Sequence, residues 1–272
     1  MKGKVFSMKI AEFSNMFERD YPLSYAFDGD NPGLLVGDAD MEITGILTTC
    51  DTDLAVVNEA IEKGANLILS HHPLMFRPVN KLTESVPEQR ALRTMIANGV
   101  AMYSAHTNLD AGAGGLNDYM AELIGMKNTT VVDKVCEDDR GVHGFGRMCD
   151  LENAITLKEL MDRITDVFGA AGLRYAGELD TKITRIAVNT GGGAGIIDEC
   201  IALNCDVLVT GDIKYNGYRD AVENGMCIVD IMHYDSEHIA KKWFADYIAA
   251  KGMDVPVYMS EANINLIKAY NG

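Results

Sequence analysis

The chain has 272 residues, 47% hydrophobic and 24% charged, enough to bury one large core or two lobes and unlike a disordered composition. Its 40 acidic residues against 24 basic ones give a formal charge of −16, which opposes nonspecific attraction to nucleic acid or to an anionic membrane. No apolar run approaches the length of a membrane span, and the start leads into an amphipathic helix instead of a signal-peptide core, so a cytoplasmic protein is expected. Six cysteines, at 50, 136, 149, 200, 205 and 227, show no CxxC spacing and read as reduced core thiols.

In chain order, Ile10, Phe13 and Phe17 recur at helical spacing, predicting a helix over 9–20 that Pro22 ends. The turn-rich Phe27–Gly33 loop, either a connection or a site border, gives way to an apolar strand at Leu34–Gly37. Residues 43–72 read as a β-α-β unit, with a helix that Asp53 caps and Gly64 stops, followed by the buried strand Ala65–Leu69. That strand runs into Ser70-His71-His72-Pro73, at the carboxyl end where open α/β sheets keep their ligands. Adjacent strand residues face opposite ways, so both imidazoles serve one site only if the chain turns at once, as Pro73 promotes, or if two ions lie side by side. The other reading is a pair of half-buried loop histidines. A helix over 88–98, Gly99 and a strand over 100–104 lead to His106-Thr107-Asn108-Leu109-Asp110.

The second half repeats the first. An offset of 140 (183 − 43) lays Ile183, Ile186, Glu199 and Ile201 on Ile43, Ile46, Glu59 and Ile61, and puts Gly211-Asp212 where His71-His72 stand. An offset of 127 (233 − 106) lays His233 on His106 and Glu237 on Asp110, so each half ends a strand with His-x-x-x-acid. Two similar lobes would bring His71, His72, Asp110, His233 and Glu237 to one cleft. Imidazole and carboxylate suit Zn, Fe, Mn, Co or Ni, no thiolate marks a closed structural zinc, and five ligands imply two divalent ions per subunit sharing a bridging carboxylate.

The segments Asp30-Asn31-Pro32-Gly33-Leu34, Ser70-His71-His72-Pro73-Leu74, His106-Thr107-Asn108-Leu109-Asp110, Gly144-Phe145-Gly146-Arg147, Thr210-Gly211-Asp212 and His233-Tyr234-Asp235-Ser236-Glu237 resemble, in order, the motifs of the Nif-three-like family. Its members are often labelled GTP cyclohydrolase 1 type 2 homologs, and the likeness covers essentially the whole chain. The resemblance implies an α/β fold of two similar lobes, roughly 1–128 and 129–272, with the metal site in the cleft between them and no long insertion. It implies that His71, His72, Asp110, His233 and Glu237 ligate a dinuclear metal centre with Glu237 as the bridge. His106 would be a nearby acid/base or substrate contact, so His106 and Glu237 are the candidate proton carriers. It also implies a homohexamer. Two departures stand out: Met232 occupies a position where glycine commonly precedes the last motif, and Asn216 lies where relatives often place histidine.

The Gly191–Gly195 run reads as a tight turn or as a phosphate cradle, without the Lys-Ser/Thr of a P-loop. Lys214 and Arg147 read as exposed charges or anion contacts, and His143 and His238 as non-ligands. Trp243, Phe244, Tyr247 and Ile248 read as packing or subunit interface. The leading functional expectation is a metal-dependent hydrolase of a nucleotide-like small molecule, opening the purine of GTP at C8 with loss of formate or cleaving a phosphoester. The alternative is a metal-handling protein, for storage, delivery or sensing, or an interaction scaffold without turnover.

Overall fold

A computed structural model of the protein describes residues 8–169 and 172–268. Helix α1 (Ile10–Asp20) buries Ile10, Phe13 and Phe17, the predicted stripe, and β1 (Gly33–Val36) follows the turn-rich loop. Strand β2 (Ile46–Thr49), helix α2 (Leu54–Lys63) and strand β3 (Leu67–Ser70) form the predicted β-α-β unit. Asp53 caps α2 by accepting from the Val56 N–H at 2.9 Å, and Gly64 ends it at φ +71°. Helix α3 (Pro87–Ala97), strand β4 (Ala101–Ser104), the short α4 (Thr107–Ala111) and α5 (Leu116–Leu123) come next. A long hairpin of β5 (Thr130–Asp138) and β6 (Gly141–Thr156) leads to α6 (Leu157–Phe168), β7 (Arg174–Ala176) and β8 (Lys182–Gly192). The chain continues through α7 (Ile197–Ala202), β9 (Val207–Gly211), α8 (Tyr215–Glu223), β10 (Cys227–Asp230) and α9 (His233–Glu237). It closes with α10 (Ala240–Ala250) and β11 (Val257–Met259).

The chain divides into two compact units, one of Met1–Leu109 with Ala240–Ile264, the other of Asp110–Ile239 with Asn265–Gly272. This is not a division at 128/129. Residues 110–128 belong with the second half, and 240–264 return to the first because β11 pairs in parallel with β2.

The first unit's sheet has the order β1-β4-β3-β2-β11, parallel except for β1. Every residue of β2, β3 and β4 is buried, as strands covered on both faces require. Leu47, Ile68 and Met102 pack with Val56, Val57 and Ala60 of α2 and Ala91, Leu92 and Met95 of α3. Tyr103, next to Met102 and so on the opposite face, joins an aromatic cluster: its ring centroid lies 5.7 Å from Phe13 and 5.6 Å from Phe17. Phe17 in turn contacts Trp243, Phe244 and Tyr247 at 5.1–6.4 Å. The Trp243 set therefore packs the interior of this unit, where each fully buried ring contributes about 2–3 kcal/mol.

The second unit's sheet has the order β5-β6-β8-β9-β10-β7, with β8, β9 and β10 parallel and the others antiparallel. The segment β7-β10-β9-β8 repeats β1-β4-β3-β2, each a parallel triplet edged by one antiparallel strand that precedes it in sequence. Registers agree: Ile46 pairs with Leu67 as Ile186 pairs with Val207, an offset of 140 (186 − 46) throughout. The third strand follows an offset of 126 (227 − 101), because Ala101 and Cys227 hold equivalent registers. Helices α4 and α9 start at Thr107 and His233, so the offset of 127 is one too long: His106 precedes its helix, whereas His233 begins one.

All six cysteines are free thiols, and five are buried. Among the described residues no helix is long and apolar enough to cross a membrane.

Candidate functional site

In the first unit, the site grows from the carboxyl ends of β2, β3 and β4. The ladder continues one step past β3, since His71 and His72 donate N–H to the Thr49 and Cys50 carbonyls at 3.1 and 2.9 Å. The Ser70 hydroxyl is 2.8 Å from the His72 carbonyl and 3.0 Å from that of Cys50, which curls the chain immediately after the strand. The two adjacent imidazoles consequently come together, with ring centroids 5.1 Å apart, and His106 from the end of β4 joins them at 5.4 and 5.5 Å. One ligand nitrogen from each of these three rings lies within 4.8 Å of the other two.

Each ring is held by its Nδ1. His71 Nδ1 bonds the Ala105 carbonyl at 2.8 Å, His72 Nδ1 the Asp51 carboxylate at 2.7 Å, and His106 Nδ1 the Asp30 carboxylate at 2.7 Å. Carbonyl and carboxylate oxygens only accept, so the hydrogen sits on Nδ1 and the neutral ring keeps its lone pair on Nε2. This is the arrangement that orients a metal-ligating imidazole. Asp30 also accepts from the Thr107 N–H and hydroxyl. Burial alone would raise the Asp30 carboxyl, but the bonds from His106 and Thr107 outweigh it and hold the pKa down to about 2.

The second unit gathers its own acids and imidazole. Asp110 on α4 is 7% exposed, and its Oδ1 accepts from the Thr190 hydroxyl at 3.2 Å. The Asn117 side chain bridges the two segments, donating to the Asp110 carbonyl at 3.1 Å and accepting from the Thr190 N–H at 2.9 Å. On α9, His233 Nε2 lies 2.9 Å from Glu237 Oε2, one helical turn on, while His233 Nδ1 lies 2.9 Å from Asp212 Oδ2. Glu237 is 3% exposed.

Two backbone features make room for this. Gly191, at φ +63° near the end of β8, leaves space for Glu237: a methyl group added there would sit 2.1 Å from Glu237 Oε1. Gly211, after Thr210, lets the backbone of Met232 and His233 approach to a distance that a side chain would occupy. Met232 itself has φ +70° and ψ 153°, a region nearly exclusive to glycine. The turn is imposed by the buried Asp230, which accepts from the N–H groups of Met232 and Ile213 and from Tyr218 and Arg174. The departure at 232 thus places a methionine on a backbone built for glycine.

The remaining candidates resolve differently. Gly191–Gly195 is the tight turn of the two readings: the end of β8 passes into a 3-10 turn in which Gly191 and Gly193 pack against Glu237 and Thr210. Arg147 is not an exposed charge but is 2% exposed, clamped on Asp118 and on the carbonyls of Gly144 and Gly146. Those bonds spend its donors on the hairpin and on α5. His143 is buried, accepting from the Ala113 N–H at 3.1 Å and donating through Nε2 to Asp138 at 2.9 Å, a structural pairing. His238 bonds the Asp235 carbonyl and stacks on Tyr234. Asn216 and Lys214 are exposed at the start of α8.

Sequence reasoning missed Asp51 and the roles of Asp30 and Asp212. Each follows a strand or begins a motif at the same sheet edge as the histidine it holds, the available signal.

The family model for Duf34/NIF3, NGG1p interacting factor 3, matches residues 8–265. A protein of Clostridium acetobutylicum called GTP cyclohydrolase 1 type 2 homolog is 33% identical over 268 residues, covering 96% of this chain and 99% of that one. A like-named protein of Clostridium perfringens is 38% identical over 85% of this chain and 87% of its own length. Among solved structures, a hypothetical protein of Staphylococcus aureus superposes with a TM-score of 0.89 at 31% identity, covering 97% of this chain and all of that one. Reduced HcgD of Methanocaldococcus jannaschii superposes with a TM-score of 0.79 at 28% identity, over 95% of this chain and all of its own. With the family's model spanning nearly its whole length and relatives matched end to end, the chain belongs to the DUF34/NIF3 family.

Proposed function

We propose that the protein binds divalent metal and uses it to hydrolyse a nucleotide-like small molecule. The observation that carries this reading is the pair of adjacent imidazoles of His71 and His72, brought together and each fixed through Nδ1, with the His106 ring, likewise fixed, standing beside them as a proton carrier. Imidazole and carboxylate donors fit Zn, Mn, Fe, Co or Ni, and the Cys50 thiol, with Sγ 3.9 Å from His72 Nδ1, adds a sulfur donor beside them. His71, His72, Asp110, His233 and Glu237 are the residues that would hold two ions. Bound there, the ions would supply Lewis acidity, polarising an electrophile and acidifying water.

The chain's own groups do the rest. Asp30 fixes the tautomer and direction of the His106 ring, leaving Nε2 to accept a proton from water or to return one to a leaving group. Asp51 and Asp212 fix His72 and His233 in the same manner. Glu237 is the second proton carrier. The same reading includes a homohexamer, for which light scattering of the purified chain should give six times the subunit mass.

The test is a screen of GTP and phosphoesters with each candidate metal, reading formate and phosphate separately, on the parent and His106→Ala. The parent should turn over, and the variant should keep its metal while losing at least about 100-fold in rate. Exchangeable metal with no turnover of any substrate would replace hydrolysis with metal handling.

A further inference from the structure

The loop after His72 is built to display some residues and bury others. Leu74, Met75 and Val79 pack on the core of the first unit, and Asn31 donates to the Met75 carbonyl at 2.8 Å. Phe76 and Arg77, between these anchors, face out, and Phe76 is 55% exposed. Its ring stands edge-on to His106, with centroids 6.3 Å apart at 88°. Phe76, Arg77 and Lys81 line a cavity of about 510 Å³ together with Glu88 and Gln89 of α3. That volume is in the range of small-molecule sites.

The charge of this loop runs against that of the chain. Residues 73–81 carry Arg77 and Lys81 and no carboxylate, in a protein with a formal charge of −16. Among the described residues neither cation has an ion-pair partner, whereas the nearby Arg93 is paired with Glu84. An exposed phenyl ring and two available cations around a cavity that begins two residues from His72 are complementary to a ligand with a flat ring and a phosphate chain.

We propose that this cavity binds a nucleoside phosphate, with Phe76 as the platform for the base and Arg77 and Lys81 as the phosphate contacts. The ligand would be presented to His106 across the Phe76 ring. This rests on the reading that the histidine site acts on a nucleotide-like molecule, and it adds where that molecule is held. Glu88 opposes anions, so the phosphate chain lies toward Arg77 and Lys81.

The test is equilibrium binding of GTP and guanosine to the full chain as purified, by calorimetry, beside the variants Phe76→Ala, Arg77→Ala/Lys81→Ala and His71→Ala. Phe76→Ala should weaken both ligands about 10-fold, and the double variant should weaken GTP about 10-fold or more while leaving guanosine unchanged. Elemental analysis should show parental metal content in the loop variants, which separates them from His71→Ala. If GTP binds the loop variants as it binds the parent, or does not bind the parent, the cavity is not the nucleotide site. If only His71→Ala weakens GTP, the phosphates bind at the histidines and the proposal also fails. Loss of metal from the loop variants would show that they disturb the histidine site itself, and would overturn a separate nucleotide site in this cavity.

Discussion

Replacing Gly191 by alanine should damage the second unit's carboxylate site while leaving its sheet in place. The backbone there is at φ +63°, where alanine costs about 1–2 kcal/mol more than glycine, partly offset by about 0.5–1 kcal/mol from the stiffer unfolded chain. The larger effect is steric, because the new methyl carbon would lie 2.1 Å from Glu237 Oε1 and 3.0 Å from its Cδ. Ordinary carbon–oxygen contact needs about 3.3 Å, so the carboxylate must retreat by about 1 Å. We expect a net loss of about 2 kcal/mol in urea unfolding and at least a 10-fold loss in metal affinity by competitive chelator titration. Gly195→Ala is the matched control: it lies in the same glycine run, but a methyl there meets nothing within 4 Å. It should change stability by less than about 0.5 kcal/mol. If Gly191→Ala behaves like Gly195→Ala in both assays, the close approach to Glu237 does not constrain the site.

Other outcomes follow from the same geometry. Met232→Gly should relieve strain of about 1–3 kcal/mol, less the entropy of a glycine, and so raise stability by about 1 kcal/mol; a lower Tm would show that the methionine side chain outweighs its backbone. Asp51→Asn and Asp212→Asn should each lower metal affinity about 10- to 100-fold with near-parental stability, because they orient His72 and His233 without enclosing a core. Glu59, at 9% exposure, accepts from the Ser260 hydroxyl and the Glu261 and Ala262 N–H groups, so Glu59→Gln should cost about 2 kcal/mol at pH 7. Burial pushes the Glu59 carboxyl up, but those bonds prevail and hold it below its usual 4.5. Its contribution is therefore complete above pH 4.5 and fades as pH falls through the lowered value, so parent and variant should converge in acid. A deficit that stays constant down to pH 3 would assign the loss to shape instead of charge.

Elements whose signals are local were legible. The Ile10-Phe13-Phe17 stripe, the Asp53 cap and Gly64 stop, and the apolar run before His71 each specify structure within a few residues. Residue spacing alone does not say whether His71 and His72 meet, because that depends on the Ser70 hydroxyl curling the chain. The one-residue error in aligning His106 with His233 arose because matching side chains were aligned, whereas strand register is fixed by backbone pairing. The burial of Arg147 has no local signal, because charge predicts exposure unless partners are known, and its partners are Asp118 and remote carbonyls. The return of 240–264 to the first unit rests on the pairing of Val257 with Ile46, a contact with no local signature. Helix α6 has a local signal, the capping box of Thr156 and Glu159.

The most direct test of the central claim is metal content per chain by elemental analysis of untagged protein, beside His71→Ala and Glu237→Ala. The account predicts close to two divalent ions in the parent and a clear loss in both variants. Close to zero in the parent after purification with metal supplied, or parental content in both variants, would contradict it.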